Sequence, residues 1–215
     1  DLSTALSTCI TKDGQTTVTA DIPMATHKIT GLGDATALTD ALNGQSSWLL
    51  FDQQTLTGVA FADFINIPAT AINLKCVFEL KPGTDAVSFS LQTYGADGIL
   101  DTGATDYLFA ANVSNSLTTP ANFGSGAGGS AILITNGATV DNGVASFGGT
   151  FEAVGIQTLT YTKFTFQNSY LDSGGTIFVQ VEGAGARAEA DRITGVRITV
   201  SSGVFTGTAT MYVGT

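Results

Sequence analysis

Basic residues are scarce in this sequence of 215 residues: Lys and Arg together number 8, against 18 Asp and Glu, and the formal net charge is −10. Charged residues of both signs make up only 12%, about half of the ~25% that is usual in soluble domains. Proteins that bind nucleic acid or anionic membranes need a basic surface. Long apolar runs are also missing, so no transmembrane helix is predicted. We therefore expect neither a nucleic-acid partner nor insertion into a membrane.

Cysteine and histidine are nearly absent, which argues against several kinds of chemistry. Cys9 and Cys76 lie far apart and form no Cys-x-x-Cys pair, and His27 is the single histidine. This spacing disfavours a zinc site. A Ser-His-Asp triad would depend on His27, and the sequence has no Gly-x-Ser-x-Gly motif. We predict two free thiols, with Cys76 buried as a small apolar residue, and neither a metal nor a cofactor.

The residues that are abundant favour β-structure. Thr is the commonest residue, Gly occurs 26 times, and hydrophobic residues make up 43%. β-Branched residues favour strands, whereas strong helix formers are few. Short apolar or alternating segments recur from residue 46 onward, separated by Gly-containing turns. The sequence therefore predicts a mainly β fold, with one antiparallel, jelly-roll-like β-sandwich over residues 46–215.

Several features are predicted within this sandwich. The single tryptophan, Trp48, is expected to be a packing anchor rather than a sugar platform. The Gly-rich stretch Asn122–Ser130 is expected to be a flexible loop, and a plain connector is favoured over a host-contact loop. The residues predicted for the core are Val77, Phe89, Leu91, Phe164, Phe166, Phe178, Ile198 and Val200.

Residues 1–45 have a different pattern, and we call them the neck segment. Asp34 is a good N-cap for a short helix that ends near Asn43, before Gly44. A helix of about ten residues is marginal alone in water, so this segment must pack on its own domain or on identical copies of itself. Its apolar residues, which are predicted to mediate trimerisation, are Ile22, Met24, Ile29, Leu32, Leu38 and Leu42.

Short sequence motifs in the neck segment resemble a series of motifs found in tailed-bacteriophage tail fibres just before the distal domain. The matching motifs are Thr19–Met24, Lys28–Ala37 and Asp40–Asn43. The stretch Ala25–His27 departs from the family pattern. The resemblance covers about 25 residues. It implies a homotrimeric fibre in which this segment is an intertwined neck, and this agrees with the need for partner copies.

A second resemblance lies within residues 46–215 and rests on the pattern of residue types more than on exact motifs. The segments Phe61–Thr70, Ala190–Val200 and Gly207–Val213 are similar to a sandwich domain of phage fibre and virion proteins. This resemblance implies a receptor-binding head at the distal end of a virion tail fibre. The implied partners are a bacterial surface glycan or an outer-membrane receptor, together with other phage tail proteins.

The densest carboxylate stretch runs from Asp97 to Tyr107, and three interpretations compete for it. It could bind Ca²⁺, although no Glu completes an EF-hand, or two of its carboxylates could hydrolyse a glycoside. The favoured interpretation is Asx-turns between strands. The next is a sugar-contact loop, in which carboxylates accept hydrogen bonds and a tyrosine stacks on a pyranose. Its candidate ligand-binding residues are Tyr94, Asp97, Asp101, Asp106 and Tyr107.

Two further groups of charged residues were candidates for function. Arg187, Arg192 and Arg197 lie near acidic residues, so salt bridges between strands or subunits are favoured over binding of an anionic glycan. Glu79, Glu152 and Glu182 lie in strand patterns. A depolymerase would need two such carboxylates on one groove.

The sequence predicts a non-enzymatic tail-fibre protein that attaches the virion to a cell-surface polysaccharide. Three sites on one head, repeated over several fibres, would give tight attachment through avidity. The alternative is a structural virion protein, such as a capsid decoration or a head fibre. A glycan hydrolase or esterase is the third and least favoured interpretation.

Overall fold

The structure is a computed structural model that describes residues 48–117, 121–137, 139–143, 146–157 and 161–214. The predicted neck segment, its helix, Cys9 and His27 all lie outside these residues. So do the six predicted trimerisation residues, Ile22, Met24, Ile29, Leu32, Leu38 and Leu42. No helix in the described residues is long and apolar enough to cross a membrane.

The described residues form antiparallel β-strands and contain no helix. The mainly β prediction is therefore confirmed for this part of the chain. The strands are β1 (Trp48–Val59), β2 (Phe61–Ile65), β3 (Asn73–Pro82), β4 (Phe89–Tyr94), β5 (Tyr107–Asn115), β6 (Ala121–Gly129), β7 (Ile132–Leu133), β8 (Phe147–Val154), β9 (Lys163–Leu171), β10 (Phe178–Arg187), β11 (Gly195–Val200) and β12 (Phe205–Gly214).

These strands make two sheets within the described ranges. The larger sheet has eight strands in the order β1-β12-β3-β8-β9-β10-β5-β6, and the smaller sheet has four in the order β2-β11-β4-β7. The chain passes from the larger to the smaller sheet between β1 and β2. Gly58 near this point has a φ of 62°, which glycine adopts without strain. The sequence pattern from Gly58 to Phe64 predicts a single strand, whereas the structure has two strands in different sheets there.

Both sheets contribute to one hydrophobic core. Phe89 of β4 stacks on Phe147 of β8 with ring centroids 4.6 Å apart, and it meets Phe205 of β12 edge-on at 5.5 Å. Aromatic pairs at such distances add to the free energy gained by burying their area. Cys76 is a buried free thiol in this core, as predicted. Burial raises the pKa of its thiol far above the usual range, so it is unreactive.

Most of the predicted core residues are buried, but two are not. Val77 is 42% exposed and Phe178 is 52% exposed, so both predictions are wrong. Side chains alternate between the two faces of a strand. Val77 lies between the buried Cys76 and Phe78 and therefore points outward. Phe178 precedes the buried Val179 at the start of β10 and points outward for the same reason.

The flexible loop predicted for Asn122–Ser130 is also wrong, because most of this stretch is the edge strand β6. It pairs with β5 in antiparallel register, with Ala110 opposite Gly124. A Cβ atom at Gly124 would lie 2.5 Å from the Phe109 carbonyl oxygen. The glycine therefore allows the close approach of two backbones, which is one of the recognised uses of glycine in strands.

Candidate functional site

A wide groove lies on the outer face of the eight-stranded sheet, over β5, β6, β8, β9 and β10. Its volume is about 730 Å³, which is within the range of ligand-binding clefts. The side chains that line it are mainly polar or small. Most of them belong to two neighbouring rows that cross the strands.

The strand register aligns the first row, which we call the polar row. Its members lie opposite one another on successive strands. Adjacent strands are about 4.8 Å apart, so five aligned residues span about 19 Å. From β8 to β6 the polar row consists of Thr150, Gln167, Glu182, Asn112 and Asn122.

The second row, which we call the low row, runs parallel to the polar row and forms the floor of the groove. Glu152 lies opposite Thr165, and beyond them Ala184 lies opposite Ala110. The last position in this row is Gly124 on β6. Three of the five residues thus have a methyl group or no side chain, which leaves space beside the polar row for a ligand.

The side chains of the polar row face solvent and are available for hydrogen bonds. Gln167, Glu182, Asn112 and Asn122 are exposed. The structure gives the first three no side-chain hydrogen bond to any described residue. Amides can donate and accept, and a carboxylate accepts, so this row presents several donors and acceptors to one extended ligand.

The charge of the groove is negative. No Lys or Arg is among the described residues that line it. Glu152 is paired with Lys75 of β3 at 3.0 Å, and Lys163, two residues before Thr165 on β9, is not among the residues that line the groove. Glu182 has no ion-pair partner among the described residues, so its carboxylate is an uncompensated negative charge among the residues that line the groove.

Two of the predicted ligand-binding residues, Tyr94 and Asp97, share a smaller depression with Asp63, Asn66 and Thr194. The Tyr94 hydroxyl accepts a hydrogen bond from Arg197 at 2.7 Å. The Asp97 carboxylate accepts from the Ile99 N–H at 2.9 Å, which is an Asx-turn. Both residues are therefore engaged in local structure, at and just after the end of β4, and neither lines the groove.

Tyr107 and Asp101, two other candidates, are not free to contact a surface ligand. The Tyr107 side chain is completely buried, and its hydroxyl accepts a hydrogen bond from the Thr93 N–H at 2.7 Å. Burial raises the pKa of Tyr107 to about 12. The Asp101 side chain is only 9% exposed and accepts from Arg187 Nε at 2.6 Å. Both side chains are therefore engaged in contacts within the fold.

Asp106, the remaining candidate, shapes a turn. Its carboxylate accepts a hydrogen bond from the Gly103 N–H. The described residues contain no group of three His, Cys, Asp or Glu side chains placed to hold a metal ion. The favoured interpretation of this stretch as turns between strands is supported at Asp97 and Asp106.

Arg187 is the centre of a buried ion cluster, which we call the Arg187 cluster. Its guanidinium is fully buried and contacts Asp101, Glu189 and Asp191. Burial alone would lower the pKa of Arg187, but hydrogen bonds from its guanidinium to Asp101 and Asp191 outweigh this effect and raise it. The cluster joins the end of β10 to the turns that precede β5 and β11.

The other two arginines are also engaged. Arg197 makes two hydrogen bonds of 2.7 Å to Asp63, which links β11 to β2, and it lies 3.9 Å from the Phe61 ring centroid. Arg192 donates to the Ile67 carbonyl. The salt bridges predicted for this group are thus confirmed for Arg187 and Arg197. Glu182, although it is close to Arg187 in sequence, takes no part in these ion pairs.

The groove residues Gln167, Asn112 and Asn122 were missed by the sequence analysis. A usable signal existed in β9, where polar residues alternate with Phe164 and Phe166. Alternation shows which residues face outward, but strand order decides which outward residues become neighbours. β5 and β8 are far apart in sequence and come together only through β9 and β10.

No protein-family model, no curated protein and no solved structure matches this chain. Structural evidence on function therefore comes from the geometry of the described strands, above all the groove. The tail-fibre resemblance of residues 19–43 stays a prediction from the sequence.

Proposed function

We propose that this chain belongs to a homotrimeric bacteriophage tail fibre and attaches the virion to a bacterial cell-surface polysaccharide. In this proposal residues 1–45 form the intertwined neck and residues 46–215 form the receptor-binding head at the distal end of the tail. The motifs of residues 19–43 that resemble those of tail fibres support the assignment of the chain to a tail fibre. The head would contact the glycan, and the neck would hold three heads together.

The strand order supports a jelly-roll sandwich for the head. A jelly roll pairs two four-stranded sheets built from two Greek keys. The order β1-β12-β3-β8 in the larger sheet and β2-β11-β4-β7 in the smaller sheet matches that arrangement. The hairpins β5-β6 and β9-β10 are then insertions that widen one sheet. They also build most of the groove.

The observation that carries the receptor-binding proposal is the polar row in the groove. Sugars offer many hydroxyl groups with fixed spacing, and proteins bind them through amide, hydroxyl and carboxylate side chains in shallow clefts. The row presents such groups over about 19 Å. A single site of this kind, exposed to water, would bind weakly. Three sites on one trimer would raise the overall affinity through effective concentration.

Glycan hydrolysis is the second candidate function, because Glu152 and Glu182 line the same groove. A general acid in a glycosidase is held in apolar surroundings that raise its pKa. Here Glu182 is exposed and Glu152 is 44% exposed and paired with Lys75. This setting favours binding over catalysis. Incubation with polysaccharide should leave the molecular weight of the polymer unchanged.

Binding to whole cells tests the proposal against a structural role in the virion. Labelled full-length protein is applied to a panel of bacterial strains, together with the double variant Gln167→Ala/Asn112→Ala. Each lost hydrogen bond is worth about 1 kcal/mol, so we expect at least about ten-fold weaker binding. Gln53→Ala is the matched control, since Gln53 lies on β1 of the same sheet and is exposed, outside the groove.

Three outcomes separate the alternatives. Binding that falls in the double variant and not in the control supports the receptor-binding role. Wild-type protein that binds no strain supports a structural role, such as a capsid decoration. Equal binding by all three proteins would move the receptor site away from the groove.

A further inference from the structure

The charge of the groove restricts the chemistry of the glycan that it can take. We propose that the groove binds an uncharged glycan chain that lies across the strands, with the Glu182 carboxylate as its central hydrogen-bond acceptor. This inference rests on the receptor-binding function proposed above. It goes beyond that function by excluding acidic polysaccharides as ligands of this site.

The exclusion of acidic glycans follows from the residues that surround Glu182. Its neighbours in the polar row are the neutral Gln167 and Asn112. The nearby Lys75 is engaged by Glu152 at 3.0 Å, and Lys163 lies outside the groove. A uronic acid or phosphate in the groove would approach Glu182 with no cation among the described residues that line the groove. Like charges in such a site oppose binding.

The direction of the ligand follows from the two rows. The polar row and its low neighbour both run perpendicular to the strands, and the low row ends in Ala184, Ala110 and Gly124. A chain laid along this floor would keep one edge against the polar row over several sugar units. A chain laid parallel to the strands would leave the low row at once and meet the polar row at a single residue.

Glu182 occupies the centre of the polar row, with two residues on each side. A carboxylate can accept hydrogen bonds from two neighbouring hydroxyl groups, and bonds to a charged acceptor are roughly twice as strong as neutral ones. The flanking amides of Gln167 and Asn112 can both donate and accept. Glu182 therefore contributes most to affinity, and the amides contribute to the fit of adjacent sugars.

The test uses a strain that the full-length wild-type protein binds. Surface glycans of that strain are separated by anion exchange into an unretained neutral fraction and a retained acidic fraction, and each competes with cells for the protein. We expect the neutral fraction to inhibit binding and the acidic fraction to have no effect. Because the ligand is uncharged, the affinity should change by less than about two-fold between low and high salt.

Two substitutions test whether Glu182 is responsible for cell binding. Glu182→Gln should weaken cell binding about ten-fold, because the shape is kept while the charge of the acceptor is lost. Glu79→Gln is the matched control, since Glu79 is an exposed residue on β3 of the same sheet, outside the groove, and it should leave binding unchanged.

The outcomes that overturn the inference differ from those that overturn the proposed function. Inhibition by the acidic fraction alone, inhibition by neither fraction, or full binding by Glu182→Gln would each overturn the neutral-glycan inference and leave receptor binding intact. A chitosan competitor that acts more strongly than the neutral fraction would show a cationic ligand and would also overturn it. If wild-type protein binds no strain, the proposed function fails, and the inference that rests on it fails as well.

Discussion

The groove and the Arg187 cluster use the same kinds of polar side chain in opposite ways. In the cluster, Arg187 is buried and each of its acidic partners lies within contact distance. In the groove, Glu182 and Gln167 are exposed and have no side-chain partner among the described residues. Buried polar groups must be paired to be tolerated, whereas exposed unpaired ones are available to a ligand. The cluster therefore maintains the fold, and the groove is available for binding.

Removal of the central arginine should have the largest effect. Arg187→Ala leaves the nearly buried Asp101 carboxylate without its cationic partner, and breaking a buried ion pair in this way costs about 3–5 kcal/mol. Urea unfolding should show this loss in the free energy of unfolding. Lys163→Ala, at an exposed position on β9, should change it by less than about 0.5 kcal/mol. Equal losses in the two variants would show that the cluster is not a structural element.

Tyr107 tests at a single hydroxyl whether a buried, paired polar group stabilises the fold. Tyr107→Phe leaves the buried Thr93 N–H without its acceptor, which should cost about 1–3 kcal/mol. The pKa of Tyr107 is raised from 10.0 to about 12, so between these values the unfolded chain releases its proton while the folded protein keeps it. The free energy of unfolding should therefore fall as pH rises through this range.

This alkaline loss of stability should be smaller in the Phe variant than in the wild type. Tyr170, whose pKa burial also raises, contributes with the same sign in both proteins, so the difference between them isolates Tyr107. Parallel curves for the two proteins would mean that the Tyr107 hydroxyl is not held in the buried hydrogen bond described here.

A bulky side chain on the groove floor should separate binding from stability. Ala184→Trp places an indole on the exposed low row and should weaken cell binding by about ten-fold or more, while the free energy of unfolding changes by less than about 0.5 kcal/mol. Thr55→Trp, at an exposed position on β1, serves as the control and should bind normally. Normal binding by Ala184→Trp would remove the groove from the account of function.

The smallest of these effects should be on the free energy of unfolding at low pH. Burial alone would raise the pKa of Asp191, but hydrogen bonds from Arg187 and from the Ala96 N–H outweigh it and lower the pKa. A lowered folded-state pKa gives stability that is present above the unfolded value, near 3.8, and lost as pH falls below it. Asp191→Asn should reduce this acid loss, as measured by urea unfolding at a series of pH values. An unchanged profile would contradict the assignment.

Local sequence patterns predicted the type of secondary structure better than they predicted the neighbours of each residue. Phe164 and Phe166 were placed correctly in the core because alternation and hydrophobicity agree in β9. Val77 and Phe178 were misplaced because both are apolar residues on outward positions, and hydrophobicity alone does not determine the face. β6 was missed because its glycines resemble those of a flexible linker, although here they allow two backbones to pair closely.

The candidate site was harder to predict because it depends on strand order. The carboxylate stretch from Asp97 to Tyr107 stood out in the sequence, yet Asp101 and Tyr107 are buried in structural interactions. The polar row draws one residue from each of five strands, and none of these residues is unusual in its local sequence. Only the pairing of β8, β9, β10, β5 and β6 brings them together.

Hydroxyl-radical footprinting of the protein bound to host cells tests the central claim most directly, since it reports which side chains a receptor covers. Gln167 and Glu182 are exposed and line the groove, whereas Phe61 and Tyr94 lie on the smaller sheet around Arg197. We expect the receptor to protect Gln167 and Glu182 and to leave Phe61 and Tyr94 as reactive as in the free protein. Protection of Phe61 and Tyr94 with no change at Gln167 and Glu182 would contradict the assignment of the groove as the receptor site.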